Sequence, residues 1–235
     1  MNKIIGTHQN ARRQDSEHWV SMSDLMAGLM MVFLFISVAY MHYVRIEKEK
    51  IKEVAVAYQN AQAALYMALE KEFSQDLEKW DAEIDKQTLE FRFKSPEVLF
   101  GLGSVELKSS FKKILDDFFP RYLKVLDKFK EHITDIRIEG HTSSDWTGAT
   151  SAEMAYFHNM ELSQGRTRSV LQYLYQMPAV KEHRTWIKAV FSAVGYSSAH
   201  PVLDENGREN SIRSRRVTFK VITNAELQIR KIIQE

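Results

Sequence analysis

"IRIEGHTS", residues 136–143, alternates apolar and polar side chains and then stops at a glycine. Ile136 and Ile138 share one face and Arg137 and Glu139 the other, the period of a half-buried strand. On its N-terminal side, "KSSFKKILDDFFPRYLKVLDKF" (108–129) has helical spacing, with Pro120 marking a break. On its C-terminal side, "MELSQGRTRSVLQYLYQM" (160–177) is helical again, and "KAVFSAVGY" (188–196) is a buried strand. "RRVTFKVIT" (215–223) sets Val217, Phe219 and Val221 on one face of a last strand, and "TLEFRF" (88–93) does the same with Leu89, Phe91 and Phe93. Strands alternating with helices predict an α/β sandwich of about 135 residues, one ordinary domain.

Upstream, residues 45–87 are charged, rich in Ala, Glu and Lys, and lack Pro and Gly. Ile51, Val54, Tyr58, Ala61, Leu65 and Ala68 recur at the three-four spacing of a coiled-coil seam, and Phe73, Leu77, Trp80 and Ile84 continue a stripe after a register break. A helix over 45–87 serves two arrangements equally well, a parallel pair with its twin or one amphipathic helix lying on its own domain.

Further upstream, "SMSDLMAGLMMVFLFISVAYMHYVR" (21–45) holds no Asp, Glu, Lys or Arg between Leu25 and Val44. At ~1.5 Å per residue this run spans about 30 Å, the hydrocarbon thickness of a bilayer. It is too long for a signal-peptide core, and no small-residue cleavage site follows. Basic residues lie on both flanks (Lys3, Arg12 and Arg13 before; Arg45, Lys48, Lys50 and Lys52 after), so charge does not choose an orientation. The predicted organisation is an N-terminal tail (1–18), a transmembrane helix (19–44), a helical linker (45–87), the α/β domain (88–223) and a short helix or tail (224–235). The fold class is α+β.

Composition excludes several functions. A net charge of +1 gives no field for nucleic acid, and no Lys/Arg patch interleaves with aromatics. There is no Cys, and none of the eight His residues pairs at metal-ligand spacing, so no metal site is expected. No serine elbow, P-loop or HExxH motif occurs, and "FGLGS" carries Glu106 where a dinucleotide fingerprint needs its third glycine. We expect neither an enzyme nor an organic cofactor.

Asp24 stands at the mouth of the apolar run. A carboxylate there serves as a helix N-cap, or, five residues beyond the interfacial side chain Trp19, lies inside the membrane and faces protein or water. Ala27 and Gly28, one turn on, leave room for a partner helix.

Three motifs in order carry a resemblance. "IRIEGHTS", "NMELSQGR" (159–166) and "RSRRVTFKV" (213–221), with "VLFGLGSVELKSSF" (98–111) ahead of them, resemble the OmpA-like peptidoglycan-binding domain. That family shows G-H-T-D, N-x-x-L-S-x-x-R and N-R-R-V. Behind a single helix that begins with Asp, such a domain resembles the MotB-type B subunits of flagellar stators. "SMSDLMAGLMMVFLFI" and the serine of "GHTS" look closest to the stator-like B subunits of Zorya anti-phage defence systems.

The resemblance implies that Asp24 binds and releases a permeating cation, H⁺ or Na⁺. It implies a homodimer inside a ring of five multi-pass MotA- or ZorA-like A subunits, held in the inner membrane with a cytoplasmic N-terminus and a periplasmic domain on peptidoglycan. Arg166 then pairs with the stem-peptide carboxylate, Asn159 caps its helix and faces the ligand, and Leu162 packs. Thr142 and Asp145 hold the stem amine, and Arg213 lines the cleft or flanks the last strand, as does Arg216. Two departures stand out: Ser143 replaces the family's aspartate, and Ser214 its asparagine. A flagellar stator subunit and a passive wall tether without ion flux are the alternatives.

Overall fold

The computed structural model describes residues 6–94 and 99–223, with side chains from Met22 onward except at Tyr58. The helix expected over 224–235 lies outside the described residues. The chain divides into two compact units at Val54/Ala55, and helix α1 (Gly6–Phe73) contributes to both.

In the first unit, Leu25 to Tyr43 are exposed at every position, including Leu25 at 74% and Phe35 at 73%. This is the one described helix long and apolar enough to cross a membrane. Nothing stands within 4 Å of where a Cβ on Gly28 would sit.

The second unit is built on a five-stranded sheet in the order β1-β2-β5-β3-β4. Its strands are β1 (Ala82–Ile84), β2 (Glu90–Phe93), β3 (Ile133–His141), β4 (Phe191–Gly195) and β5 (Arg216–Thr223). β3 and β4 are parallel and the other pairs antiparallel, so the last strand lies in the middle, between β2 and β3. In register, Phe219 faces Phe91 on one side and Ile138 on the other. Helices α2 (Ser109–Asp127) and α3 (Ala152–Gln176) contribute to the apolar core, and two short helices follow, α4 (Arg184–Val190) and α5 (Ser211–Ser214). Phe118 sits at the centre of that core, 4.6 Å from the Phe91 ring and 5.2 Å from that of Phe219.

The end of α1 belongs to this core. Leu65, Leu69 and Phe73, spaced by four, are buried at 1%, 0% and 0% exposure, and the Phe73 ring lies 5.3 Å from those of Phe91 and Phe118. Arg121 of α2 fastens the same turn: it donates to Glu72 Oε1 (2.7 Å), the Glu72 carbonyl (2.6 Å) and Asp76 Oδ2 (2.9 Å), with its guanidinium 4.8 Å from the Phe73 ring. Partial burial opposes the charge, but Glu72, Asp76 and Asp117 outweigh it and hold the guanidinium's pKa above its ordinary value. From Leu65 onward the helix therefore lies on its own domain, which takes Leu65 out of an intermolecular seam.

Three expectations change. The helix predicted to reach Gln87 ends at Phe73, and β1 follows. The chain turns at Asp81 (φ 48°), delivering Trp80 to the core beside Phe73 and Ala82 to β2, so packing overrides helix propensity in a stretch with no Gly or Pro. Pro120 does not break α2. Phe118, Phe119, Tyr122, Leu123, Val125 and Leu126 are buried around it, and their burial outweighs one missing backbone hydrogen bond. Residues 184–190 form α4, so the strand predicted from Lys188 starts at Phe191.

Leu69→Ala should cost the domain about 2–5 kcal/mol in chemical denaturation, the usual range for a fully buried leucine. The same change at exposed Met67 should stay near zero.

Candidate functional site

The site forms because α3 crosses the sheet at two glycines. A Cβ on Gly140 would stand 2.8 Å from the Ser163 carbonyl oxygen, and one on Gly195 2.5 Å from the Gln164 backbone nitrogen. No other residue lets the helix backbone come so close. Ser163 Oγ then accepts from the Ser197 N–H (3.1 Å), tying α3 to the end of β4. This places one stripe of α3, Asn159, Leu162 and Arg166, beside the chain leaving β3 at Thr142.

Between them opens a cleft of about 640 Å³, with the 100–103 loop and the start of α5 as further walls. Thr142, Asp145, Asn159, Leu162 and Arg166 all line it. Thr142 is 3% exposed, and its Oγ1 is buried with no hydrogen-bond partner among the described residues. Asp145 accepts from Ser211 Oγ at 2.9 Å. Asn159 Nδ2 donates to the Asp145 carbonyl at 3.4 Å. Arg166 is 9% exposed; its Nε and Nη2 donate to the carbonyls of Ser104 (2.9 Å) and Gly101 (3.1 Å), and its guanidinium lies 4.9 Å from the Phe100 ring. Burial, and then the nearby charge of Arg215, brings the Arg166 pKa down to about 10. Arg166 thus holds the 100–104 loop while keeping a cation at the cleft.

Two roles are corrected. Asn159 does not cap its helix: α3 begins at Ala152, where Ser151 Oγ accepts from the Met154 N–H at 3.2 Å, so Asn159 sits inside the helix. Arg213 is exposed on α5 and is not among the lining residues; Arg215, whose Nε donates to the Ser211 carbonyl at 3.1 Å, lines the cleft instead. Arg216 also lies elsewhere, donating to the carbonyls of His200 and Ser214.

Sequence reasoning missed several contributors, among them Arg215, Ser211, Trp146, Lys108 and Glu209. Arg215 is the first arginine of "SRRV", so its motif was visible. Trp146 and Ser211 line the cleft, and Glu209 accepts from the Ser144 N–H at 3.1 Å. Ser211 meets Asp145, and Glu209 meets Ser144, across 65 residues or more, which no local pattern records. Ser143, at the position of the family's aspartate, is buried (5% exposed).

The arrangement offers three cations (Lys108, Arg166 and Arg215), a carboxylate and an unpaired hydroxyl in one concave site. It suits a ligand bearing both a carboxylate and an amine. No group of three or more His, Cys, Asp or Glu among the described residues could hold a metal ion.

Residues 99–215 match the OmpA family. Zorya protein ZorB of Escherichia coli strain Crooks is 73% identical over 235 residues, the full length of both chains. The chain belongs to the ZorB family. A MotB-like protein from Desulfovibrio vulgaris shares the ZorB-family fold at 24% identity and a TM-score of 0.50, over 73% of this chain and 94% of that one. The cell wall anchor of the T6SS from Pseudomonas aeruginosa matches at 20% identity and a TM-score of 0.46, over 66% and 96%.

His141 of this ZorB-family chain lies outside the cleft lining. It is 6% exposed, stacks on Tyr196 at 5.2 Å and brings Nε2 to 3.7 Å from Glu139 Oε2. Burial, with help from Arg216, lowers its pKa against the pull of Glu139. Unfolding returns the imidazole to its ordinary value near ~6.5, so the unfolded chain binds the proton more readily. This contribution is whole above about pH 6.5 and is lost as the pH falls through the lowered folded value. Denaturation midpoints should drop below about pH 6.5, and His141→Gln should flatten that drop relative to the parent chain.

Proposed function

We propose that this chain is the B subunit of a stator-like, ion-driven motor in anti-phage defence, anchored to peptidoglycan by its OmpA-like domain. The observation that carries the anchoring half is the buried, unpartnered Thr142 hydroxyl in a cleft shared with Arg166, Arg215 and Asp145. A buried hydroxyl without a partner costs about 1–3 kcal/mol, and a ligand amine or carboxylate in the cleft supplies the missing bond. In this reading Arg166 and Arg215 attract the stem-peptide carboxylate, while Thr142 and Asp145 meet the amine.

The motor half is supported by family membership and by the bare apolar helix with Asp24 at its mouth. A carboxylate in the membrane needs protein or water around it, and the open side of Gly28 admits a close partner helix. One helix cannot enclose an ion path, so the reading requires a dimer within a ring of five MotA- or ZorA-like A subunits, with H⁺ or Na⁺ passing Asp24. The chain then crosses the inner membrane once, with its N-terminus in the cytoplasm and its domain in the periplasm.

Two measurements test the halves separately. Asp24→Asn keeps size and hydrogen bonding but can neither exchange a proton nor bind a cation as a carboxylate. It should co-purify with the A subunit at parental yield and lose phage protection. Full protection by this variant would leave only a passive tether. In the second, full-length Thr142→Val in detergent should denature no earlier than the parent, since it loses an unsatisfied hydroxyl. It should nonetheless bind purified sacculi about tenfold more weakly in co-sedimentation. Undiminished binding would remove Thr142 from the contact.

A further inference from the structure

The loop 143–151, "SSDWTGATS", is small and polar except for one large side chain. Trp146 is only half-buried and lines the cleft. Its ring stacks on His158 of α3 at 5.1 Å and 17°, a near-parallel arrangement that fixes the indole plane and occupies one of its faces. Its indole N–H makes no hydrogen bond among the described residues. At the cleft's other loop, Leu102 is fully exposed and also lines the space. Neither side chain matches a charged ligand. A volume of about 640 Å³ lies within the ~300–1,000 Å³ of sites that enclose whole small molecules, more than one amino-acid side chain fills.

Aromatic rings held flat at a wet surface bind flat partners with an apolar face, and the indole N–H adds a donor at the rim. Pyranose rings have such a face of C–H groups and an edge of hydroxyls. We infer that Trp146, backed by His158 and sharing the cleft with Leu102, is a platform for a sugar ring of the peptidoglycan strand, next to the subsite for its stem peptide. This rests on the peptidoglycan reading of the cleft and adds the glycan to what the site recognises. A packing role alone would bury the indole against the domain and would not leave it lining the cleft with its donor unspent.

The test compares two probes on the full-length chain in detergent by titration calorimetry: a disaccharide-tetrapeptide muropeptide, and the same tetrapeptide released by an amidase. The parent chain should bind the disaccharide form about tenfold more tightly, the size expected of one aromatic stacking contact. Trp146→Ala should collapse that ratio towards one, and Trp146→Phe should keep most of it. A parental ratio near one, a ratio that survives Trp146→Ala, or equal weakening of both probes by Trp146→Ala each overturns the platform, the last by making Trp146 a prop for Asp145. Those three results leave the stem-peptide site standing. Parental binding to neither probe overturns the peptidoglycan reading, and the platform with it.

Discussion

The contact of α3 with the β3–β4 pair at Gly140 and Gly195 governs what the rest of the domain can do. A helix normally stands off a sheet by the thickness of two side-chain layers. Here the Ser163 carbonyl and the Gln164 backbone fill the places where two Cβ atoms would be. The Thr167 methyl group, held by its Oγ1 bonding back to the Ser163 carbonyl at 3.2 Å, fills the remaining space beside Gly140. Because the approach is so close, residues on α3 and residues leaving β3 share one cleft. A methyl group at either glycine would lift the helix and pull Asn159 and Arg166 away from Thr142 and Asp145.

Arg166 shows how fold and site overlap. Its two carbonyl bonds hold the loop that forms one wall, and its charge, with those of Lys108 and Arg215, gives the cleft its sign. Around Ser143, at the position of the family's aspartate, the loops have a wiring of their own. Asp145 is tied to Ser211, and Glu209 accepts from Ser144, so two loops far apart in sequence are stitched together around the cleft. The carboxylate in the cleft lining, Asp145, comes two residues after Ser143, which is buried in the same lining.

Much of the domain was legible in the sequence because its signals are local. Alternation in 136–140 and 217–221 marks β3 and β5, and the motif Asn159-x-x-Leu162-Ser163-x-x-Arg166 puts three lining residues on one helical stripe. What stayed hidden depended on distant partners. Nothing in residues 74–84 announces a turn and a strand; Trp80 and Ala82 leave the helix because Phe73 and β2 receive them. Leu65 fits an intermolecular seam and an intramolecular core equally well until the domain core has formed around it. Of the two places open to Arg213, only packing decides that it stays exposed on α5 ahead of the last described strand, while Arg215, just past that helix, lines the cleft.

The sheet order has a mechanical consequence. Within the domain, α1 leads into β1 at Ala82, which pairs with Phe93, and Phe93 pairs through Val217 with Gly140, so the helix enters the sheet at the same end from which the cleft hangs. A pull between the two would therefore load the ladders from one end, bond by bond, and not along their whole length at once. Resistance at that end falls to side-chain contacts instead: the Phe73 ring against Phe91 and Phe118, and Arg121 on Glu72 and Asp76.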